Sequence, residues 1–228
     1  MPKRASFLTR LCLARWAGPQ LGWIGVPLLV ATIALGWLGP PWCWAAALPA
    51  VALALLVWFF RDPPRQVTHT PNGLLAPADG KIVAITPIDH YDFFDGPAVS
   101  IGIFLSIFNA HVNRSPADAT VLETDYRPGA YLDARDPESA RRNEYQWIGF
   151  ADHEGRRFAV RQVSGAVARR IVCELTPGAT VRAGDKFGMI KFGSRTELIV
   201  PLGCPIACQI GDRVRAGIKV LAYLNVDG

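Results

Sequence analysis

Val181-Arg182-Ala183-Gly184-Asp185-Lys186 recurs as Val214-Arg215-Ala216-Gly217-Ile218-Lys219. Each copy follows a turn and leads into an apolar run, residues 187–190 after the first and 220–224 after the second. Glycine supplies the left-handed backbone angles that a tight turn needs, and a short apolar run bounded by turns reads as a buried strand. Two such units near the end of the chain predict a β-rich domain.

The same punctuation continues upstream. Gly73-Leu74-Leu75-Ala76-Pro77-Ala78-Asp79-Gly80-Lys81-Ile82-Val83-Ala84-Ile85 reads as strand, turn, strand. Residues 99–107 predict a strand buried on both faces, 109–116 a loop at its end, and 119–126 another strand. Residues 147–150 and 158–163 predict a hairpin around Asp152-His153-Glu154-Gly155. Residues 165–175 have helical spacing, with Val167, Ile171 and Val172 on one side and Arg169 and Arg170 on the other. Residues 131–145 are polar, with Asp133, Arg135, Asp136, Glu138, Arg141, Arg142 and Glu144. They read as a long loop, with a short helix start at Pro137-Glu138, that is either a solvated surface or a cover over a site.

The N-terminal part differs in kind. Residues 21–60 contain no charged side chain. Gly39-Pro40-Pro41 divides them into runs 21–38 and 42–60, each just long enough to cross a hydrocarbon core. Trp23, Trp37, Trp42, Trp44 and Trp58 crowd the run ends, as an interfacial aromatic belt would place them. Arg10 and Arg15 precede the pair, Arg61 and Arg65 follow it, and the turn carries no charge. The positive-inside rule then puts both termini in the cytoplasm, at the cell inner membrane. A shallow re-entrant hairpin and a buried soluble hairpin are the alternatives. Residues 1–20, basic with interleaved Leu, Phe and Trp, predict a short amphipathic helix on an anionic surface.

The formal charge of +5 is carried by these flanks, since the remainder from Gln66 onward sums to zero. Nucleic acid is therefore not an expected partner. The five cysteines are odd in number and too widely spaced for a zinc site. They are expected as reduced, mostly buried thiols, and no metal is expected.

Lys191-Phe192-Gly193-Ser194-Arg195 lies between two predicted strands. Gly193-Ser194 is ordinarily only a turn. It also places a hydroxyl beside an unhindered carbonyl. Attack by Ser194 on Gly193 would turn the peptide bond into an ester. β-Elimination would then cut the chain, leaving a dehydroalanine that hydrolyses to a pyruvoyl group.

Other stretches give that dipeptide a context. They are Phe59-Phe60-Arg61-Asp62-Pro63, Ala76-Pro77-Ala78-Asp79-Gly80, and Phe104-Leu105-Ser106 running into Asn109-Ala110-His111-Val112-Asn113-Arg114-Ser115-Pro116. Then come Gln162-Val163-Ser164-Gly165-Ala166-Val167-Ala168-Arg169-Arg170-Ile171 and Lys191 to Arg195. In this order, from Trp58 onward, the chain resembles the phosphatidylserine decarboxylase proenzymes of the short bacterial and archaeal branch. The turn-strand units resemble those of biotinyl/lipoyl-type barrel-sandwich domains. The expected fold is predominantly β with short helices, an α+β arrangement of barrel-sandwich-like hairpins behind an N-terminal membrane hairpin. Residues 1–65 would be the anchor and 66–228 the decarboxylase domain.

The resemblance implies self-cleavage between Gly193 and Ser194 into a large chain, 1–193, and a small chain, 194–228, that stay together. It implies a pyruvoyl cofactor derived from Ser194, which condenses with the serine amine of a membrane phospholipid and accepts electrons as carbon dioxide leaves. The product is phosphatidylethanolamine, and a homo-oligomer is expected. Asp79 corresponds to an acid of the serine-activating relay, and otherwise is only a turn residue. His111 is the natural proton donor, and otherwise is a structural histidine.

One position departs from the long-form pattern, which has His-x-x-His where this chain has His111-x-x-Arg114. Arginine is no general base at neutral pH. Either His111 serves both steps or the relay is built differently, and Arg114, with Asn113, is a candidate for substrate binding. His69, His90 and His153 read as surface residues, and Lys191 as structural. The rival reading is a membrane-anchored biotinyl/lipoyl-like carrier or adaptor without activity, although Lys191 fits a carrier lysine poorly.

Overall fold

The computed structural model describes residues 11–132, 142–165, 170–191 and 194–224, and of Ser194 the backbone alone. The basic residues Lys3, Arg4 and Arg10, the charged stretch 133–141, residues 166–169, Phe192, Gly193 and residues 225–228 lie outside the described residues. The chain divides into two compact units, Met1–Pro64 and Arg65–Gly228.

The first unit is a helical hairpin. Helices α1 (Arg15–Trp37) and α2 (Trp42–Phe59) are each long and apolar enough to cross a membrane. Helix α1 starts before the uncharged run does, and its segment Leu21–Gly25 is wound as a wider π-turn. Pro27, which lacks an N–H to continue the α ladder, follows one residue later, after Val26. The helices approach at Gly25, where a Cβ would stand in ordinary contact with Leu53 and Leu56 at 3.6 Å. Most of the apolar surface is uncovered: Trp23 is 86% exposed and Trp37 89%. A soluble core hairpin would bury these groups. The ends of the hairpin meet, because Ala14 N–H donates to the Phe60 carbonyl at 2.8 Å and Asp62 N–H to Cys12 at 2.6 Å.

The second unit is built of strands. They are β1 (Gly73–Leu75), β2 (Gly80–Tyr91), β3 (Gly96–Leu105), β4 (Val112–Arg114), β5 (Ala119–Arg127), β6 (Tyr145–Ala151) and β7 (Arg157–Ser164). Then follow β8 (Arg170–Cys173), β9 (Thr180–Val181), β10 (Lys186–Lys191), β11 (Ser194–Pro201), β12 (Arg213–Val214) and β13 (Val220–Tyr223). An eight-stranded sheet runs β12-β2-β3-β11-β7-β6-β5-β9, a three-stranded sheet β4-β10-β8, and β1 pairs with β13.

Alternation along the strands separates two apolar clusters. The main core holds Leu74, Ile82, Ile103, Leu198 and Val200, with Phe150 stacked on Phe158 at 5.0 Å. The opposite face of the large sheet carries Phe93, Ala98, Ala159 and Ile199. There the Trp147 indole donates to the Tyr91 hydroxyl at 2.7 Å. The two echoed turns behave as their glycines predict: Gly184 and Gly217 have φ of +79° and +74°. They also touch, the Gly184 Cα lying 3.6 Å from where a Gly217 Cβ would stand.

Three local expectations are corrected. Within residues 165–175, read as helical, Arg170–Cys173 is strand β8, with Ile171 opposite Ile190 of β10. Four residues are too few for periodicity to decide, and β-branched Ile171 and Val172 suit a strand. The loop at 109–116 contains the short strand β4. The cysteines are all free, but Cys12 and Cys43 are exposed rather than buried.

Candidate active site

Strands β10 and β11 belong to different sheets, yet only Phe192 and Gly193 separate them. The Gly-Ser pair therefore marks the crossover from one sheet to the other. Ser194 opens β11 with its backbone held from both sides, opposite Leu105 of β3 and Ser164 of β7.

The chain leaving β3 turns through residues 106–109 and delivers His111, which is fully buried, beside β10. The Ile190 N–H donates to the His111 carbonyl at 3.3 Å. The His111 Nδ1 lies 2.9 Å from the Asn109 carbonyl oxygen. A carbonyl only accepts, so Nδ1 carries a proton, which leaves Nε2 as the ring nitrogen able to exchange one.

Asn113 ties the sequence motifs together. Its amide donates to the Pro77 carbonyl at 3.3 Å and to the Thr196 hydroxyl at 3.1 Å. Its oxygen accepts from Gln162 Nε2 at 2.8 Å. Asn113 and its two side-chain partners, Thr196 and Gln162, are all fully buried. One carboxamide thus joins the Pro-Ala-Asp-Gly turn, β7 and a position two residues beyond Ser194. Sequence reading gave Gln162 and Thr196 no role in this; the signals were that both are polar within apolar strands and that Gln162 opens one of the motif stretches.

The Gln162 Oε1 and Ser164 Oγ atoms are buried without a hydrogen-bond partner among the described residues. Unsatisfied polar atoms are costly in a core, and these stand on the strand that flanks Ser194. The Ser164 hydroxyl can donate to a small carbonyl-bearing group at that position, whereas Gln162 Oε1 can only accept. Asn143 fixes the end of the same strand, donating to the Ser164 carbonyl at 2.9 Å.

Asp79 is buried in the turn ahead of β2. One carboxylate oxygen accepts from the Ala216 N–H at 2.8 Å, in the second echoed turn. The other accepts from Arg65 at 2.6 Å. Arg65 was read only as part of a charged flank, and no short-range pattern links it to Asp79. Arg114 is buried as well and donates to the Gly184 carbonyl at 3.1 Å in the first echoed turn. His69, His90 and His153 are exposed.

Cations gather at the crossover. Glu197, itself buried, pairs with Arg195 at 2.8 Å and accepts from Arg161 Nε at 2.8 Å. Gly102 makes room for Arg195, since a Cβ there would lie 2.5 Å from its guanidinium. Lys191 is buried and stands opposite Arg170 across β10 and β8. Burial lowers the Lys191 pKa, and the Arg170 charge lowers it further. Lys191 and Arg170, close together on neighbouring strands, favour a substrate that brings negative charge.

Comparison of the sequence with known proteins gives the family. The sequence profile of the phosphatidylserine decarboxylase family matches residues 52–222. The chain is 45% identical over 202 residues to a phosphatidylserine decarboxylase proenzyme of Rhodopirellula baltica, covering 86% of this chain and 81% of that one. It is 41% identical over 174 residues to the proenzyme of that name in Desulfotalea psychrophila, covering 76% and 81%. It is 37% identical over 217 residues to the one in Nitrosomonas eutropha, covering 95% and 97%. With its membrane-length helices, its β-domain and a Gly-Ser pair at the crossover between sheets, this chain belongs to the phosphatidylserine decarboxylase family and is an enzyme of that kind.

Proposed function

We propose that the chain cuts itself between Gly193 and Ser194 and then decarboxylates phosphatidylserine to phosphatidylethanolamine with a pyruvoyl group made from Ser194. The observation that carries this reading is the backbone of Ser194, clamped between β3 and β7 beside the buried His111 loop. The Ser194 hydroxyl attacks the Gly193 carbonyl, giving an ester. Loss of the Ser194 α-proton expels the Gly193 carboxylate and leaves dehydroalanine, whose tautomer takes up water and releases ammonia. The resulting pyruvoyl group supplies a ketone electrophile and electron sink.

The residues around it do the rest. His111 Nε2 is the basic nitrogen that takes the hydroxyl proton, and His111 later returns a proton to the substrate carbon. Asp79 acts with Arg65 by fixing the turn ahead of β2. Asn113 and Arg114, engaged with Thr196 and Gly184, hold the His111 loop in place. Lys191 and Arg170 supply the positive field for an anionic headgroup. The Ser164 hydroxyl offers a hydrogen bond to a new carbonyl. The catalytic unit faces the cytoplasm, tethered by the hairpin whose flanks are basic.

The carrier alternative needs an accessible lysine at a hairpin tip, and Lys191 is only 4% exposed. Denaturing electrophoresis and intact mass measurement test the proposal. Wild-type protein is expected as two chains, the smaller with a blocked N-terminus. Ser194→Ala is expected as one inactive chain of 24.8 kDa. An alanine variant that is cut and active would overturn the assignment.

A further inference from the structure

Residues 106–109 form a rigid turn between the strand end opposite Ser194 and buried His111. The Asn109 N–H donates to the Ser106 carbonyl at 2.9 Å. The Asn109 side-chain oxygen accepts from the Ser106 N–H at 2.9 Å and from its hydroxyl at 2.8 Å. The turn so braced holds out Ile107, 53% exposed, and Phe108, 65% exposed. Among the described residues from Arg65 onward, no other two consecutive large apolar side chains are both more than half exposed. Leu122, Tyr126, Tyr131, Leu202 and Ile210 stand singly. Single exposed apolar residues are ordinary, but an adjacent pair on a braced turn at a site's rim asks for a covering surface.

We propose that the Ile107-Phe108 turn inserts into the headgroup–acyl boundary of the bilayer. There it brings the rim of the site to the lipid surface, so that a serine headgroup reaches His111 while its tails stay in the membrane. The inference rests on phosphatidylserine being the substrate. A second copy of the chain is a poor occupant, because two side chains bury at most a few hundred Å², well below the roughly 1,200 Å² of a stable protein interface. A bilayer needs no such area, since a few apolar side chains at the boundary suffice to seat an already tethered domain.

The test uses full-length protein reconstituted in phosphatidylcholine vesicles. Substrate is supplied either as long-chain phosphatidylserine in those vesicles or as dihexanoyl phosphatidylserine dissolved in water. The double variant Ile107→Ser, Phe108→Ser is expected to lose about tenfold or more in kcat/KM on the bilayer substrate, mainly through KM. It should keep its rate on the dissolved substrate and cut itself normally. Independently, an NBD probe on a Phe108→Cys variant, with Cys12→Ser, Cys43→Ser, Cys173→Ser and Cys208→Ser, should be quenched by spin-labelled lipid. Equal rates on the bilayer substrate, equal losses on both substrates, or an unquenched probe would overturn the proposal. If wild-type protein released no carbon dioxide from either substrate, the phosphatidylserine reading would fall, and the probe alone would decide the turn.

Discussion

Arg65 and Asp79 form an ion pair at 2.6 Å, with only 9% and 11% of their side chains exposed. The arginine stands at the first position of the β-rich unit, immediately after Pro63-Pro64, and the aspartate stands in the turn before β2. Removing one member of a buried pair leaves the other charge uncompensated. Arg65→Ala is expected to lower stability by about 3 kcal/mol in denaturant unfolding and to slow self-cleavage on a gel time course. Arg65→Lys should recover part of both. An alanine variant as stable and as quickly cut as wild type would remove Arg65 from the site.

The Asn113 carboxamide should be hard to replace. Asn113→Ala leaves Thr196 and Gln162 buried without their partner, at a cost of about 1–3 kcal/mol. Thr196→Val removes only one end of the contact. A double-mutant cycle between the two is expected to give a coupling of about 1 kcal/mol. Strict additivity would mean that the contact does not connect the two elements energetically.

His111 is the sole buried histidine of the chain's four, and Arg114 cannot take a proton from a hydroxyl at neutral pH. His111→Gln should therefore slow both the cut and the turnover of whatever protein is cut, each by roughly 10²–10⁴-fold. Gel densitometry and carbon dioxide release separate the two steps. Normal cutting with only decarboxylation lost would assign the first proton transfer elsewhere.

Tyr91 gives an alkaline signature. Burial, the largest cause, raises its pKa from 10.0 to about 12, against the opposing pull of Arg161 and the hydrogen bond from Trp147. Below pH 10 both folded and unfolded chains keep the proton, and the stabilising contribution is complete. Between pH 10 and about 12 the unfolded chain gives it up first, so stability falls as pH rises. Tyr91→Phe should remove this part of the descent in melts taken from pH 9 to 12. It should also cost about 1 kcal/mol at neutral pH, where the Trp147 N–H loses its acceptor. An unchanged alkaline slope would refute the assignment.

Where apolar runs are long or bounded by glycine turns, the strands were legible, as in β3, β6, β7 and the two echoed units. Strand β8 was not, because Ile171 and Val172 satisfy helical and extended spacing alike, and only pairing with β10 decides between them. The site divides in the same way. Ser194, His111 and Asp79 announce themselves as residue types in motifs. The Arg65 pair, the Asn113 bridge and the Glu197 cluster join residues far apart in the chain, and no local pattern records such contacts.

The strand that opens at Ser194 is an inner member of its sheet, bonded to β3 along one side and β7 along the other. Farther on, β12 lies against β2, and β13 against β1. A break ahead of Ser194 therefore severs covalent continuity at a seam without unstitching the fabric. The shorter piece would stay threaded through the longer one by four separate ladders, and it could leave only if those ladders came undone. Maturation of this kind would be irreversible in chemistry and nearly silent in architecture.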